Sequence, residues 1–534
     1  MRIIKNAVII AMLLLAVFSA GCKKSGVSSN IAVEITLLTR VGDSKYYTDI
    51  GSRNFTVDEL TAPAVATTYA TAKAFKELYP NVKINFFGKA SKGDSDENSP
   101  WEQQRENFRM EFGVYPDIWV SNDMIGDIMK GLVADISIFK DDPMYKSFNP
   151  AIMSLMNIEG RQFGVPNFLI PWGVFINKSL AEANNIDVPD PDWTIEEFTR
   201  FVTNSKTNEF YGLMGDYELD INLVNTGVKD FTYMLLNRKP GDPFVNINSE
   251  ATRSTLRHLS QWTSHSIWPN NDQGRVSQEF LEAHWWWGYK FFLEGKLLAH
   301  AGDPWMMGDA ANPNPEYWGH AKIADWDVYP RPSTGYAGNN VGIVLDPFVI
   351  RNYAMDDGNP KLSAEEEAKL RIAWEFIKFW VGDTRAWKAR AEQQYRDGDT
   401  YRSCASDVLP VVTGEEFDRQ MEIWFSMDIH QRFKDKSKMP GFHYILELWE
   451  KGQFWDISVN SANSIPWYFD FEGTRRQIAY EWHTAWSADV TGASRHDPNW
   501  LDQVYARMPQ WNTLMNQRWE AEVEKLHNII ERYW

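Results

Sequence analysis

Aromatic rings and short polar side chains are the groups in this sequence that could do chemistry. The 534 residues include 25 Trp, 21 Tyr and 30 Phe, and such rings provide large, rigid contact surfaces. Carboxylates and amides exchange hydrogen bonds with the hydroxyl groups of a ligand. The sequence has no HExxH, P-loop or zinc-ligand spacing and no hydrolase motif. These residue types are compatible with ligand binding, which needs no activated nucleophile, and the number of Trp residues also fits a glycoside hydrolase.

Polar residues follow two predicted strands. Residues 31–40 alternate and then run apolar, which predicts a buried strand ending at Arg40, and residues 116–123 predict a strand that ends in Asn122 and Asp123. Ligands of parallel α/β sheets bind beyond the carboxyl ends of the strands, so these three residues are candidate ligand-binding residues. The alternatives are a surface ion pair for Arg40 and an Asx turn for the Asn-Asp pair.

The elements that must position these residues alternate along the chain. Residues 63–79 begin with Pro63 and repeat apolar residues at helical spacing, residues 82–88 predict a second strand, and residues 101–112 predict another helix. Strands that alternate with helices in this way predict a parallel α/β layer.

Three later segments have clear local signals. Thr194 and Glu197 form a capping box at the start of a helix within residues 189–206. Residues 364–383 predict a strongly amphipathic helix. Residues 160–180 alternate and contain two prolines, which favours an extended crossover over a helix.

Residues 1–21 have the pattern of a secretory signal peptide. A basic start precedes the apolar run 7–18, which is too short to span a bilayer, and small residues then lead to Cys22. This arrangement resembles a bacterial lipobox, in which the cysteine is lipidated and begins the mature chain. Residues 22–30 would then be a lipidated tether that anchors an extracytoplasmic protein to the cell membrane. The alternative is an ordinary signal peptide with an incidental cysteine.

Composition sets limits on the function. Hydrophobic residues make up 44% and charged residues 24%, as in globular proteins. The 54 basic and 72 acidic residues give a formal net charge of −18, which argues against binding to nucleic acid. The sequence has two cysteines, so a lipidated Cys22 would leave Cys404 without an intramolecular disulfide partner.

Seven stretches, taken in order, resemble the extracellular solute-binding proteins, family 1, of bacterial ABC sugar importers, which include maltose-binding protein. The stretches are AFKELYPNVKINF (74–86), PDIWVSNDMIGDIMKGLVADIS (116–137), GRQFGVPNFLIPWGVFINKSLAEANNID (160–187), DPDWTIEEF (190–198), FLEGKLLAHAGDPWMMG (292–308), ADWDVYPRPSTG (324–335), and AWEFIKFWVGD (373–383) with VLPVV (408–412).

The resemblance implies an α/β protein with the type II periplasmic-binding-protein fold, in which two hinge-connected lobes close over a ligand. We expect lobe one at 31–166 plus 327–360 and lobe two at 167–326 plus 361–534. The family usually ends soon after the Leu-Pro turn, so residues 413–534 are expected to be a mainly helical, Trp-rich extension of lobe two.

The resemblance also implies capture of a sugar or oligosaccharide outside the cytoplasm and its delivery to the permease subunits of an ABC transporter. We expect a monomer that is not an enzyme and that uses no cofactor or metal. Besides Arg40, Asn122 and Asp123, the expected ligand-binding residues are Trp172, Trp286, Asp303, Trp305, Asn339 and Asn340. Trp455 or Trp467 could extend the site for a longer glycan.

Two other functions stay open at this point. A secreted glycoside hydrolase would need two carboxylates roughly 5–10 Å apart across the bond that is cleaved, and 72 acidic residues leave such a pair possible. A binding protein of the same fold could also take a non-sugar ligand. Trp305 could instead be a core residue, Trp172 could pack at the hinge, and Asp303 could cap a helix.

Overall fold

The structure is a computed structural model of the full chain. It describes residues 27–40, 46–89, 101–121, 124–206, 209–214, 243–267, 290–301, 306–312, 314–315, 320–355, 361–404, 408–456, 467–469, 475–477, 488–490, 495 and 497–534. Within these residues, no helix combines the length and the apolar character that a membrane crossing requires. The predicted signal peptide and Cys22 lie outside them.

The strands are short except in the first sheet. In chain order they are β1 (Glu34–Arg40), β2 (Tyr46–Tyr47), β3 (Lys83–Lys89), β4 (Ile118–Val120), β5 (Asn157–Ile158), β6 (Arg161–Gln162), β7 (Val165–Trp172), β8 (Val174–Ile176), β9 (Tyr211–Met214), β10 (Ser266–Ile267), β11 (Leu297–His300), β12 (Asp327–Tyr329), β13 (Val341–Ile350), β14 (Gln394–Asp397), β15 (Thr400–Ser403), β16 (Phe454–Asp456), β17 (Trp467–Phe469) and β18 (Arg475–Gln477).

The α-helices include one that is much longer than the others. In chain order they are α1 (Pro63–Lys76), α2 (Trp101–Phe112), α3 (Met124–Met129), α4 (Pro143–Ser147), α5 (Pro150–Ser154), α6 (Lys178–Ala183), α7 (Ile195–Val202), α8 (Glu250–Trp262), α9 (Lys290–Leu293), α10 (Met306–Ala311), α11 (Ala364–Gly382), α12 (Thr384–Glu392), α13 (Glu415–Ser426), α14 (Pro440–Glu450) and α15 (Trp500–Tyr533).

A seven-stranded sheet forms the centre of the first lobe. Its strand order is β16-β13-β4-β1-β3-β2, and β7 pairs with β13. β1 runs parallel to β3 and β4, and β13 runs antiparallel to β4. The parallel layer predicted from the first strands is therefore confirmed.

Helix α1 covers this sheet with the face that its apolar spacing predicts. Pro63 occupies the first turn, where its missing N–H costs no hydrogen bond. Val65, Tyr69, Ala72 and Phe75 are buried along one side. The burial of a continuous apolar stripe, rather than helix propensity, supplies most of the stability of such a helix.

A five-stranded sheet forms the centre of the second lobe, in the order β10-β9-β11-β8-β12. α7 begins with the predicted capping box, because the Thr194 side chain accepts from the N–H of Glu197 and the Glu197 carboxylate accepts from the N–H of Thr194. Phe198 of α7 packs edge-to-face on Trp262 of α8, with ring centroids 5.0 Å apart. This pair joins the two helices over the sheet.

Three crossings that enter or leave the first sheet can be followed in the described residues. The first crossing is Gly173, between β7 of the first sheet and β8 of the second. The second crossing runs over residues 330–340 from β12 to β13, and the third leads from α14 into β16, which pairs with β13. The extended crossover predicted at 160–180 is confirmed by β7 and β8.

Sheet pairing and packing place three elements on the other side of the expected lobe boundaries. β12, expected in lobe one, pairs with β8 in the second sheet. α11, expected in lobe two, packs on the first lobe, where Phe376 lies 5.2 Å from Phe75 between ring centroids. β16, in the extension assigned to lobe two, joins the first sheet. The apolar pattern of an element shows that the element is buried, but not which sheet it packs against. The lobe assignment made from the sequence was therefore wrong for these three elements.

Candidate functional site

The carboxyl ends of β1 and β4 lie side by side at one edge of the first sheet. Leu38 is opposite Trp119 in these parallel strands. Arg40, the last residue of β1, is therefore level with Ser121, which follows β4. This is the edge at which parallel sheets bind ligands.

A buried polar cluster lies directly beneath this edge. The Asp127 carboxylate accepts from the Arg105 guanidinium, from Trp119 Nε1 at 2.8 Å and from Ser121 Oγ at 2.7 Å. Arg105 and Asp127 are 2% and 1% exposed. Because a buried charge must be paired and hydrogen-bonded, the cluster fixes the end of β4 relative to α2 and α3.

Trp172 lies where the first sheet meets the first crossing. β13 extends past the end of β4, and its Gly342 is paired with Trp172 of β7 on one side and with Trp455 of β16 on the other. Trp172 is the last residue of β7 and is 8% exposed. The backbones of Trp172 and Trp455 therefore lie on the two strands that flank Gly342.

Arg331 occupies the space beside this glycine. A Cβ on Gly342 would clash with the Arg331 guanidinium and would lie 3.0 Å from the Trp172 Cβ. Arg331 is buried, and its backbone N–H donates to the Asn340 carbonyl at 2.9 Å. The Arg331 guanidinium and the Trp172 Cβ therefore both lie beside Gly342, at the junction of the two lobes.

The two asparagines predicted from Gly-Asn-Asn have different environments. Asn339 Nδ2 donates to the Trp193 carbonyl at 2.9 Å and to the Arg331 carbonyl at 3.1 Å, so this side chain braces the second crossing. Asn340 Nδ2 donates to the Gly338 carbonyl at 3.2 Å. Asn340 Oδ1 is buried and accepts no hydrogen bond from a residue that the structure describes.

A second buried carboxylate joins two of the crossings. Asp327, at the start of β12, accepts from the backbone N–H of Gly441 at 2.8 Å and of Phe442 at 3.2 Å in the first turn of α14, and from Val328 at 2.7 Å. Burial raises the pKa of Asp327 to about 6, although these hydrogen bonds and the charge of Lys178 oppose the rise. β12 leads into the second crossing and α14 into the third.

The other candidate site residues lie outside the described residues. They are Asn122, Asp123, Trp286, Asp303 and Trp305, together with the lipidation candidate Cys22 and the side chain of Arg40. The structure therefore brings together Trp172, Asn339 and Asn340 near the crossings and places the backbone of Arg40 at the neighbouring sheet edge.

Sequence reasoning missed Arg331 and Gly342. The available signal was the Pro-Arg-Pro of residues 330–332, since two prolines hold the chain extended and remove two backbone donors. The sequence around Gly342 contains no turn signal. Glycine is needed there because the Arg331 guanidinium comes close, and not because of the backbone conformation of Gly342.

The site offers contacts rather than reactive groups. Trp172 supplies a ring, Arg331 a guanidinium and Asn340 an amide, all at a junction between two lobes. Among the residues that the structure describes, no group of three or more His, Cys, Asp or Glu side chains is arranged to hold a metal ion. Such a set can hold a polar ligand by stacking and hydrogen bonds.

Comparison with solved structures shows the same fold. An ABC substrate-binding protein of Listeria monocytogenes, in complex with cycloalternan, matches with a TM-score of 0.54 and 14% identity, over 91% of this chain and 99% of that one. The cyclic α-maltosyl-1,6-maltose binding protein of Arthrobacter globiformis matches with a TM-score of 0.54 and 14% identity, over 94% and 100% of the two chains.

An extracellular solute-binding protein, family 1, of Alicyclobacillus acidocaldarius matches with a TM-score of 0.53 and 14% identity, over 92% of this chain and 100% of that one. No protein-family model matches the sequence, and no curated protein matches it. The chain therefore has the two-lobed fold of the extracellular solute-binding proteins, and the fold implied by its sequence segments is confirmed.

Proposed function

We propose that this protein captures a sugar or oligosaccharide outside the cytoplasm and delivers it to the permease of an ABC transporter. The main support is that Trp172 and the Arg331 guanidinium both lie beside Gly342, at the place where the chain passes from one sheet to the other. An indole covers the C–H face of a sugar, and a guanidinium donates to its oxygens. The similar Listeria and Arthrobacter proteins bind cyclic oligosaccharides.

The proposed mechanism is closure of two lobes around the ligand. The crossings between the lobes allow one lobe to rotate against the other, as in hinge motions. A ligand that contacts both lobes stabilises the closed form, because it binds that form more tightly than the open one. The closed form then docks on the permease, and no bond of the sugar is broken.

The proposed site combines one residue found in the structure with those predicted from the sequence. Arg331 joins the predicted ligand-binding residues, which are Arg40, Asn122, Asp123, Trp172, Trp286, Asp303, Trp305, Asn339 and Asn340. Within this set we assign Asn339 to bracing the crossing, since both of its amide hydrogens are donated to backbone carbonyls.

We also propose that the mature protein is a membrane-anchored lipoprotein. The pattern of residues 1–21 supports export, and Cys22 would carry the lipid, with residues 22–30 as the tether. The anchor would keep a monomeric binding protein close to the permease outside the cytoplasm.

An oligosaccharide panel tests the function. The protein is incubated with cycloalternan, cyclic α-maltosyl-1,6-maltose, linear glucans and acidic oligosaccharides, and thermal unfolding and sugar products are both measured. A ligand at 100 times its Kd stabilises the folded state by about 2.7 kcal/mol, which is readily detected. Stabilisation without a product supports capture, whereas a cleaved product would establish a hydrolase. No stabilisation by any sugar would overturn the sugar proposal and favour a non-sugar ligand.

The Trp305→Ala substitution sharpens this test. We expect the affinity for the stabilising sugar to fall more than tenfold, about 1.4 kcal/mol, because a stacking ring is removed, while the melting temperature without sugar stays the same. Tyr401→Ala is the control, since Tyr401 is a 55% exposed ring bound to Asp58 on the surface of the first lobe. An affinity equal to that of the parent protein would remove Trp305 from the site.

A further inference from the structure

The N-terminal half of α15 is packed on the second lobe. Its buried residues repeat every three or four positions, as a helix face requires. They are Trp500, Val504, Met508, Trp511 and Met515. Tyr505 Oη also donates to the Arg253 carbonyl of α8 at 3.0 Å, and the Arg253 guanidinium lies 4.8 Å from the centre of the Tyr505 ring.

Two asparagines of α15 hold the segment that precedes α8. Asn516 Oδ1 accepts from the N–H of Phe244 at 2.6 Å and of Val245 at 3.1 Å, while its Nδ2 donates to the Val245 carbonyl at 2.8 Å. Asn512 Oδ1 accepts from the N–H of Ile247 at 2.8 Å. These bonds satisfy backbone groups of residues 244–247, so this anchor is costly to release.

The C-terminal end of α15 is packed on the first lobe. Trp534, which follows the helix, lies edge-to-face on Phe163 with ring centroids 5.2 Å apart. Phe163 is fully buried and precedes β7 of the first sheet by two residues. Ile530 is also fully buried, and His527 Nδ1 lies 3.4 Å from Glu159 Oε1 in the turn between β5 and β6. α15 also contacts α3 of the first lobe.

Between the two anchors, the side chains that the structure describes are exposed. Every described side chain from 517 to 525 is exposed: Gln517, Arg518, Glu520, Ala521, Glu524 and Lys525. A helix of 34 residues is about 51 Å long. The helix is therefore long enough to join the buried contacts at its two ends, which lie in different lobes.

We propose that α15 is a strut between the two lobes, which limits the range over which they open and close. The hinge crossings alone would allow rotation, but a stiff helix bound to residues 244–247 at one end and to Phe163 at the other resists a change in their separation. The second-lobe anchor has several backbone hydrogen bonds and a long buried stripe, whereas the described first-lobe anchor is a ring pair, one buried isoleucine, one His–Glu contact and the contact with α3. The first-lobe anchor is therefore the end that releases when the lobes move apart.

Inter-lobe distances measured by pulsed electron spin resonance test this strut. Spin labels are placed on two exposed residues, with Glu77→Cys in the first lobe and Glu182→Cys in the second, in a protein that carries Cys22→Ser. Cys404 is buried and does not compete for label. The parent protein should give one narrow distance distribution, because the strut holds the lobes at a fixed separation.

Two substitutions weaken the strut in different ways. Trp534→Ala removes the ring contact with Phe163, and Ala521→Pro breaks the helix in its exposed middle without touching either anchor, since proline removes a hydrogen bond and clashes with the preceding turn. We expect both variants to lose the narrow distribution and to show a broader one. Gln517→Ala, an exposed residue on the same helix, is the control and should keep it.

Narrow distributions in both variants would overturn the proposal, as would equal broadening in the control. The measurement needs no sugar, so its outcome is independent of whether the protein captures one. If Trp534→Ala fails to fold, Ala521→Pro still gives the answer, because it changes neither anchor.

Discussion

The two lobes each contain a buried carboxylate, and they hold it in different ways. In the first lobe, Asp127 is paired with Arg105 and accepts from two further side chains. In the second lobe, Asp327 accepts from three backbone N–H groups, two of them in the first turn of α14. A full charge balances the first carboxylate, whereas the second relies mainly on partial positive charges at a helix end.

The partners of each carboxylate correspond to the elements that the carboxylate connects. Asp127 links α3, α2 and the end of β4 within one lobe. Its ion pair with Arg105 holds these elements in a fixed arrangement. Asp327 links β12 to α14, and these elements lead into the second and third crossings. The partial charges do not offset the cost of burial, which is why the pKa of Asp327 rises to about 6.

Asp127→Ala should give the largest effect. It leaves the Arg105 guanidinium buried without its carboxylate, and breaking a buried pair in this way costs about 3–5 kcal/mol. Denaturant unfolding of the first lobe measures the loss. If the free energy of unfolding falls by less than about 1 kcal/mol, the buried Arg105 charge does not need the Asp127 carboxylate. The proposed difference between the carboxylates of the two lobes would then be wrong.

Asp327→Asn should give a smaller effect that depends on pH. The ordinary pKa of an aspartate is near 3.8 and that of folded Asp327 is about 6, so the folded state binds the proton more tightly than the unfolded state between these values. The free energy of unfolding of the parent protein, relative to that of the variant, should therefore rise by about 2 kcal/mol as the pH falls from 7 to 4.

Unfolding curves of both proteins at several pH values measure this difference. Other titrating groups are common to both proteins and cancel. A difference that is independent of pH, or one that grows as the pH rises, would contradict the raised pKa.

Asp141→Ala should have the smallest effect and serves as the surface reference. Its carboxylate lies 3.2 Å from Lys146 Nζ, but the two side chains are 88% and 60% exposed. Solvent screens such a pair. We expect no measurable change in the free energy of unfolding by denaturant. A decrease as large as that of Asp127→Ala would mean that removal of any carboxylate, buried or exposed, destabilises the protein equally.

Local signals in the sequence located the helices and strands well. Ser363 and Glu366 form a capping box in the structure, and α11 spans Ala364–Gly382, one residue shorter than predicted. α2 has the predicted bounds of 101–112. These elements are set by residues three or four positions apart, and such contacts can be read along the chain.

Contacts between distant residues could not be read in this way. Arg331 and Gly342 face each other across the second crossing, and neither has a neighbour in sequence that requires the other. The ligand-binding role of Asn339 was predicted from its residue type and its position in the sequence. Its hydrogen bonds to the Trp193 and Arg331 carbonyls depend instead on how two loops meet in the folded chain.

By itself, the sequence determined the alternation of strands and helices, the extended crossover, and the two-lobed fold through the order of its segments, because short-range periodicity and capping encode these features. Only the tertiary structure decided that β12 pairs in the second sheet, that α11 covers the first, and that α15 reaches both lobes. The physical reason is that an apolar face is buried equally well against any complementary surface, so the choice of surface depends on the packing of the whole chain.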